Sequence, residues 1–188
     1  MSFTRPRELR FWLSGIAIVA AVLADFASVP LAGAVGRKVI GVVLTSAAAR
    51  SASAPLIEGG TLTSGDSLHT ELGGSARLRL GRDTQVNLGA ETAIRLRSDV
   101  NRVVVEMSAG ATMTRDTGQD AVAVETSGFR VEPAEQGRAV YIVAMLPDKT
   151  EVAARTGKLM ITEVASGRRT LVNEGEVAEI IGPPTPPP

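Results

Sequence analysis

Between Leu68 and Ser98 the apolar residues keep two periods at once. Leu78, Val86 and Ile94 lie eight residues apart, and so do Leu80, Leu88 and Leu96. Within each short run, apolar and polar residues alternate, as in "ARLRL", "TQVNL" and "AIRLR". Alternation with period two places the apolar side chains on one face of a strand. Five strand residues cover about 17 Å and leave three for a corner. The octad therefore predicts inward pairs on successive short strands, with Arg79, Asn87 and Arg95 in the equivalent outward place. Such stacking suits a meander or a small solenoid-like coil, in which each repeat buries its apolar face on its neighbours. An additional residue before Val103-Val104-Val105 breaks the rhythm, so closure is left to later strands.

The texture from Arg37 onward is the same. Strands are predicted at 38–45, 66–71, 75–80, 84–89, 92–97, 101–107, 120–126 and 128–132, then 138–145, 149–155, 158–164 and 168–180. Turn signals punctuate them at Ser64-Gly65-Asp66, Gly73-Gly74, Gly81-Arg82-Asp83, Gly110, Thr117-Gly118, Gly157, Gly167 and Gly175. No window after Ala49 carries a sustained helical stripe, so the domain reads as all-β. Its core is aliphatic, because aromatics make up 3% of 188 residues, with one Trp and one Tyr. Lys+Arg and Asp+Glu stand at 20 each, which gives no whole-chain attraction to nucleic acid or to a membrane surface. The chain has no cysteine, which removes disulfides, thiolate nucleophiles and thiolate metal sites together.

The N-terminus points to export. Arg5, Arg7 and Arg10 precede the apolar run "FWLSGIAIVAAVLA", Phe11 to Ala24, an expected apolar helix. A charged flank, a short apolar core and small residues beyond it form the layout of a signal peptide. Residues 1–34 read as a signal cleaved after Ala32-Gly33-Ala34, or as a retained, tilted inner-membrane anchor. In either case positive charge holds the N-terminus in the cytoplasm and places the remainder in the periplasm. The domain is expected over 36–181. The tail 182–188, "GPPTPPP", has a polyproline composition that ends the sheet.

Candidate sites are few. His69 is the only histidine. It has no histidine partner for a metal and no serine in a nucleophile elbow, and its strand position predicts an exposed side chain. Ser64-Gly65-Asp66 reads as a turn in which Asp66 hydrogen-bonds nearby backbone. Asp83 and Glu91 are the one carboxylate pair that resembles a glycosidase dyad. No catalytic residue, cofactor or metal is assigned. The surface that stands out is Arg77, Arg79, Arg95 and Arg97, which alternate with buried-type residues and are expected on one face, joined by Arg102. Such a face fits an acidic partner such as lipid phosphate, cell-wall polymer or an acidic protein; the alternative is a solvated face balanced by Asp83, Glu91 and Asp99.

The order of these signals resembles the FecR domain family, the periplasmic module named for the ferric-citrate sensor. "VGRKVIGVVLTSAAARSASAPLIEGGTLTSGDSLHTELGGSARLRL" resembles its opening strand, variable loop and "GD-x-L-x-T" element. "GRDTQVNLGAETAIRL", "VEMSAGATMT" and "AVAVETSGFRVEPAEQGRAVYIVAM" are similar to the elements that follow. "TEVAARTGKLMITEVASGRRTLVNEGEVAEI" resembles the closing hairpins. The resemblance covers roughly 36–181. It implies a small all-β periplasmic module, a twisted, solenoid-like double sheet. Gly137-Arg138 departs from the family's Gly-Thr. Ten residues precede Phe11, too few for the cytoplasmic anti-sigma helices of the full sensor, so sigma-factor control is not carried over.

These observations give three expectations. The first is a non-enzymatic extracytoplasmic module that binds an envelope protein or polymer through a strand edge or the arginine face. The second is a membrane-anchored relay in cell-surface signalling, its cytoplasmic part supplied by a partner. The third, disfavoured by the lack of aromatic sugar platforms, is a carbohydrate-active enzyme using Asp83 and Glu91.

Overall fold

The computed structural model describes residues 37–52, 54–118 and 121–181. Among these there is no helix. Fourteen strands form a single hydrogen-bonded sheet. In chain order they are β1 Val39–Ser51, β2 Ala54–Pro55, β3 Thr61–Thr63, β4 Ser67–Leu80, β5 Thr84–Leu88, β6 Ala93–Asp99 and β7 Arg102–Asp116. The remainder are β8 Ala121–Glu125, β9 Phe129–Pro133, β10 Ala139–Met145, β11 Lys149–Thr156, β12 Leu159–Glu163, β13 Arg169–Val172 and β14 Val177–Ile181. The apolar segment 11–24 and the proline tail lie outside the described residues.

Three strands are unusually long. β1, β4 and β7 run for 13, 14 and 15 residues, and each serves in two arms of the sheet. In the first arm the end of β1, the start of β4, β6 and the start of β7 lead through β8, β9 and β12 to β13, with β2 on the other edge. In the second arm β3, the start of β1, the end of β4, β5 and the end of β7 lead through β10 and β11 to β14. A strand that passes from one layer to another needs a bulge or bend where it turns.

Those bends coincide. β1 breaks register between Ala47 and Ala49, where Ala48 takes φ 45°. Opposite it, β4 turns at Gly73-Gly74. A Cβ on Gly74 would stand 2.4 Å from the Ala48 carbonyl oxygen, so only glycine fits there. β7 turns at Gly110, whose φ of 83° is left-handed. Two buried threonines join the bends. Thr70 Oγ1 donates to the Gly89 carbonyl at 2.5 Å and accepts from Thr92 N at 2.9 Å. Thr92 Oγ1 in turn accepts from Ala111 N at 3.0 Å. The hydroxyls of Thr70 and Thr92 at the fold line are thus paired, whereas the buried Thr112 hydroxyl further along β7 has no partner among the described residues.

The bend in β7 solves a connection problem. β8 pairs parallel with the first half of β7, the one parallel pair among the described strands. Parallel neighbours ordinarily need a crossover of a dozen or more residues. Here only residues 117–120 link the two strands. That length suffices because β7 doubles back at Gly110, and Arg102, Asp116 and Gly118 line one cleft. Asp116 Oδ1 accepts from Gly118 N at 2.7 Å and fixes the turnaround.

The inner faces of the two arms make one core. Leu78, Leu80, Val86, Leu88, Ile94 and Leu96 all belong to it, so the octad reads the inward side correctly. Its neighbours differ from the expected succession. β6 does not lie beside β5 but beside Ser67–His69 at the start of β4 and beside the first half of β7. Tyr141 on β10 crosses from one arm to the other. Its hydroxyl donates to the Val122 carbonyl on β8 at 3.3 Å, and its ring is fully buried.

Candidate interaction surfaces

The four arginines expected on one face stand on two arms. Arg77 and Arg79 belong to the second half of β4, beside β5. Arg95 and Arg97 belong to β6, beside the first half of β7. The fold line at Gly73-Gly74 separates the pairs, a break that alternation along the chain does not reveal.

On the first arm Arg97, Arg102 and Arg130 are neutralised, whereas Arg95 is exposed and has no such partner among the described residues. Arg97 donates from Nε to Glu106 at 2.6 Å and from Nη2 to Glu125 at 2.9 Å. Arg130 Nε donates to the other oxygen of Glu125 at 2.6 Å. Arg102, the residue expected to extend the stripe, donates to Glu132 at 2.8 Å. Hydrogen bonding to Glu106 raises the Arg97 guanidinium above its ordinary range; burial opposes this and the charge of Glu125 adds to it. These pairs span β6 to β8 and β7 to β9, bridging the outward-facing Val104 and Ala123, which are 0% and 1% exposed. The arginine stems give those residues apolar cover. This face is a closed ionic lattice.

Beside the lattice lies an open groove of ≈ 660 Å³, lined by His69, Arg95, Glu106, Ser108, Glu125 and Met145 among others. His69 is exposed on β4 between Arg50 and Ala93, and among the described residues it makes no hydrogen bond or ion pair. No three metal-ligating side chains converge there or elsewhere among the described residues. Asp83 and Glu91 flank opposite ends of β5, a strand about 17 Å long, too far apart to face one glycosidic bond. Asp66 accepts from Thr63 N at 2.7 Å and Thr63 Oγ1 at 2.9 Å, with Gly65 left-handed at φ 97°, so its carboxylate is spent on the turn.

The two arms end differently on their two sides. On one side they are joined, because β1 runs through both, and the outermost strands β2 and β3 have 2 and 3 residues. On the other side no strand is shared. Among the described residues β13 pairs only with β12, and β14 only with β11. A groove of ≈ 370 Å³ opens between these edges, lined by Ile161, Ile180 and Ile181 together with Glu163, Arg168 and Glu179 among others. Leu171 is 47% exposed, Val177 58% and Ile181 84%. Lys149 anchors β14 through Glu179 at 2.8 Å and also meets Glu151 at 2.8 Å. Those two hydrogen bonds, that to Glu151 foremost, hold its ammonium well above the ordinary lysine range.

Fold and surface together define an all-β, folded-over sheet with an outer face held by ion pairs and one open end. No family model matches the chain, so the FecR resemblance rests on the motifs quoted above. No curated protein matches it either. Two crystal structures of a "putative anti-sigma factor" from Parabacteroides distasonis ATCC 8503 are similar to it, at 24% and 25% identity, each with a TM-score of 0.45. Each match covers 61% of this chain and 59% of that one, so the chain spans less than two thirds of those proteins' length.

Proposed function

We propose that the domain is a non-enzymatic, extracytoplasmic interaction module that captures an envelope protein by strand addition at its open end. The observation that carries this reading is the pair of edges, β13 and β14, unpaired among the described residues, which face each other across a groove that mixes Ile161, Ile180 and Ile181 with Glu163, Arg168 and Glu179. A strand edge presents unpaired N–H and C=O groups, and proteins blunt such edges unless they are used. The opposite side is blunted by shared β1 and by very short edge strands; this side carries exposed Leu171, Val177 and Ile181 instead. Main-chain hydrogen bonds to either edge supply affinity, and the groove supplies side-chain selection. The extracytoplasmic setting draws its support from Arg5, Arg7, Arg10 and the apolar run after them.

The test uses charge on the edge. The full chain retrieves an envelope protein from its native cell, and the double variant Leu171→Lys, Val177→Lys loses it, while Leu72→Lys, at a more exposed position remote in the fold, keeps it. Retrieval unchanged in the edge variant contradicts the proposal.

A further inference from the structure

On the outer face of the second arm Arg79 and Arg115 meet no acid, unlike Arg97, Arg102 and Arg130 of the lattice. Arg79 on β4, Gln85 on β5 and Arg115 on β7 share one register row, since Gln85 opposes both arginines. In the next row Arg77 opposes Asn87, which opposes Met113. Directly opposed residues point to the same side of a sheet. Arg79 and Arg115 therefore stand about 9.5 Å apart with Gln85 between them, and Arg77 stands about 7 Å from Arg79 along β4.

Arg77, Arg79 and Arg115 are all exposed. Neither Arg79 nor Arg115 has a hydrogen-bond or ion-pair partner among the described residues. Arg77 gives Nε to Asn87 Oδ1 at 3.1 Å, which leaves its terminal nitrogens outward. The outward positions of β5, β10 and the second halves of β4 and β7 are otherwise Ser75, Asn87, Ala111, Met113, Val140, Ile142 and Ala144; the carboxylates of this face, Glu151 and Glu179, stand on β11 and β14 and are held by Lys149. On the first arm, by contrast, each lattice arginine meets a glutamate at 2.6 to 2.9 Å.

We propose that this guanidinium–amide–guanidinium row binds an acidic polysaccharide, an extended chain bearing uronate carboxylates. Guanidinium groups take carboxylates through paired hydrogen bonds. Gln85, placed between them, both donates and accepts, which matches the hydroxyl groups of a sugar. Phosphodiester oxygens only accept, so a phosphate chain leaves the Gln85 carbonyl unmatched. The face has no aromatic side chain on which a nucleobase stacks. Met113, Val140 and Ile142 are half-buried and lie in the sheet surface rather than projecting as a membrane-inserting set. The inference is independent of the open end, because it uses a different face and a different class of partner.

The full chain is titrated with sodium alginate, with neutral dextran, with vesicles of phosphatidylglycerol and phosphatidylcholine, and with single-stranded DNA. Alginate binds, dextran does not, and the affinity falls as salt rises. The double variant Arg79→Gln, Arg115→Gln weakens alginate binding about tenfold or more. Arg95→Gln, an exposed arginine on the other arm, leaves it unchanged, and circular dichroism shows all variants folded. The proposal is overturned by wild-type protein that ignores alginate, by equal loss in Arg95→Gln, or by tighter binding to the vesicles or to DNA.

Discussion

Thr92 Oγ1 fills the space that a side chain on Gly110 would need: a Cβ there would stand 2.4 Å from it. Gly110 also has φ 83°, and the neighbouring Ala111 N–H donates to the same hydroxyl at 3.0 Å. One contact thus fixes where β7 turns from the first arm to the second. Gly110→Ala adds left-handed strain and a clash at a buried bend. It is expected to destabilise the domain by about 3 kcal/mol, read as a shifted urea midpoint with unchanged slope.

Thr70 carries the other half of the fold line. Thr70→Val keeps the shape but leaves the Gly89 carbonyl and the Thr92 N–H without their partner. A loss of about 2 kcal/mol is expected in chemical denaturation, and Thr70→Ser recovers most of it. Equal effects of valine and serine would show that packing, not hydrogen bonding, pins the bend.

Arg97 tests the ionic lattice. Its removal frees Glu106 and leaves Glu125 to Arg130 alone. Because the Arg97 side chain is 40% exposed, solvent screening keeps the expected loss for Arg97→Gln near 1 kcal/mol. A double-mutant cycle with Glu106→Gln should give a coupling energy that shrinks between low and high salt.

Tyr141 supplies a pH signature. Burial pushes its phenol well above the ordinary tyrosine value, so the folded state keeps the proton while the unfolded chain ionises near pH 10. Above that pH the unfolded state binds fewer protons than the folded state, and stability falls as pH rises. The limiting slope is about 1.4 kcal/mol per pH unit from this one group. As the chain has one tyrosine, phenolate absorbance should rise together with the loss of β-sheet circular dichroism and not before it.

Much of the architecture was legible because alternation reports burial directly. The inward octad residues, the span of β5 and the outward place of Arg77, Arg79 and Arg95 all follow from period two. The folding-over was not. Gly73-Gly74 and Gly110 read as turns between strands, whereas they are bends within β4 and β7, and local sequence signals left-handed glycine without saying whether pairing continues beyond it. For the same reason the predicted strand at 101–107 stops short of Arg115, and that residue's place beside Gln85 went unseen. β13 and β14 read as one strand at 168–180 because their apolar alternation runs on; Gly175, at φ 82°, divides them. The meeting of Arg97 with Glu125 depends on the parallel pairing of β7 with β8, a long-range fact that no local pattern carries.

The claim that the open end is the binding face is tested most directly by site-specific photocrosslinking in the native cell, with a photoreactive amino acid placed singly at Leu171, Val177, Leu72 and Val100. The account predicts adducts to one envelope protein from Leu171 and Val177 and none from Leu72 or Val100. Adducts that form equally from all four positions, or only from Leu72 and Val100, would contradict it.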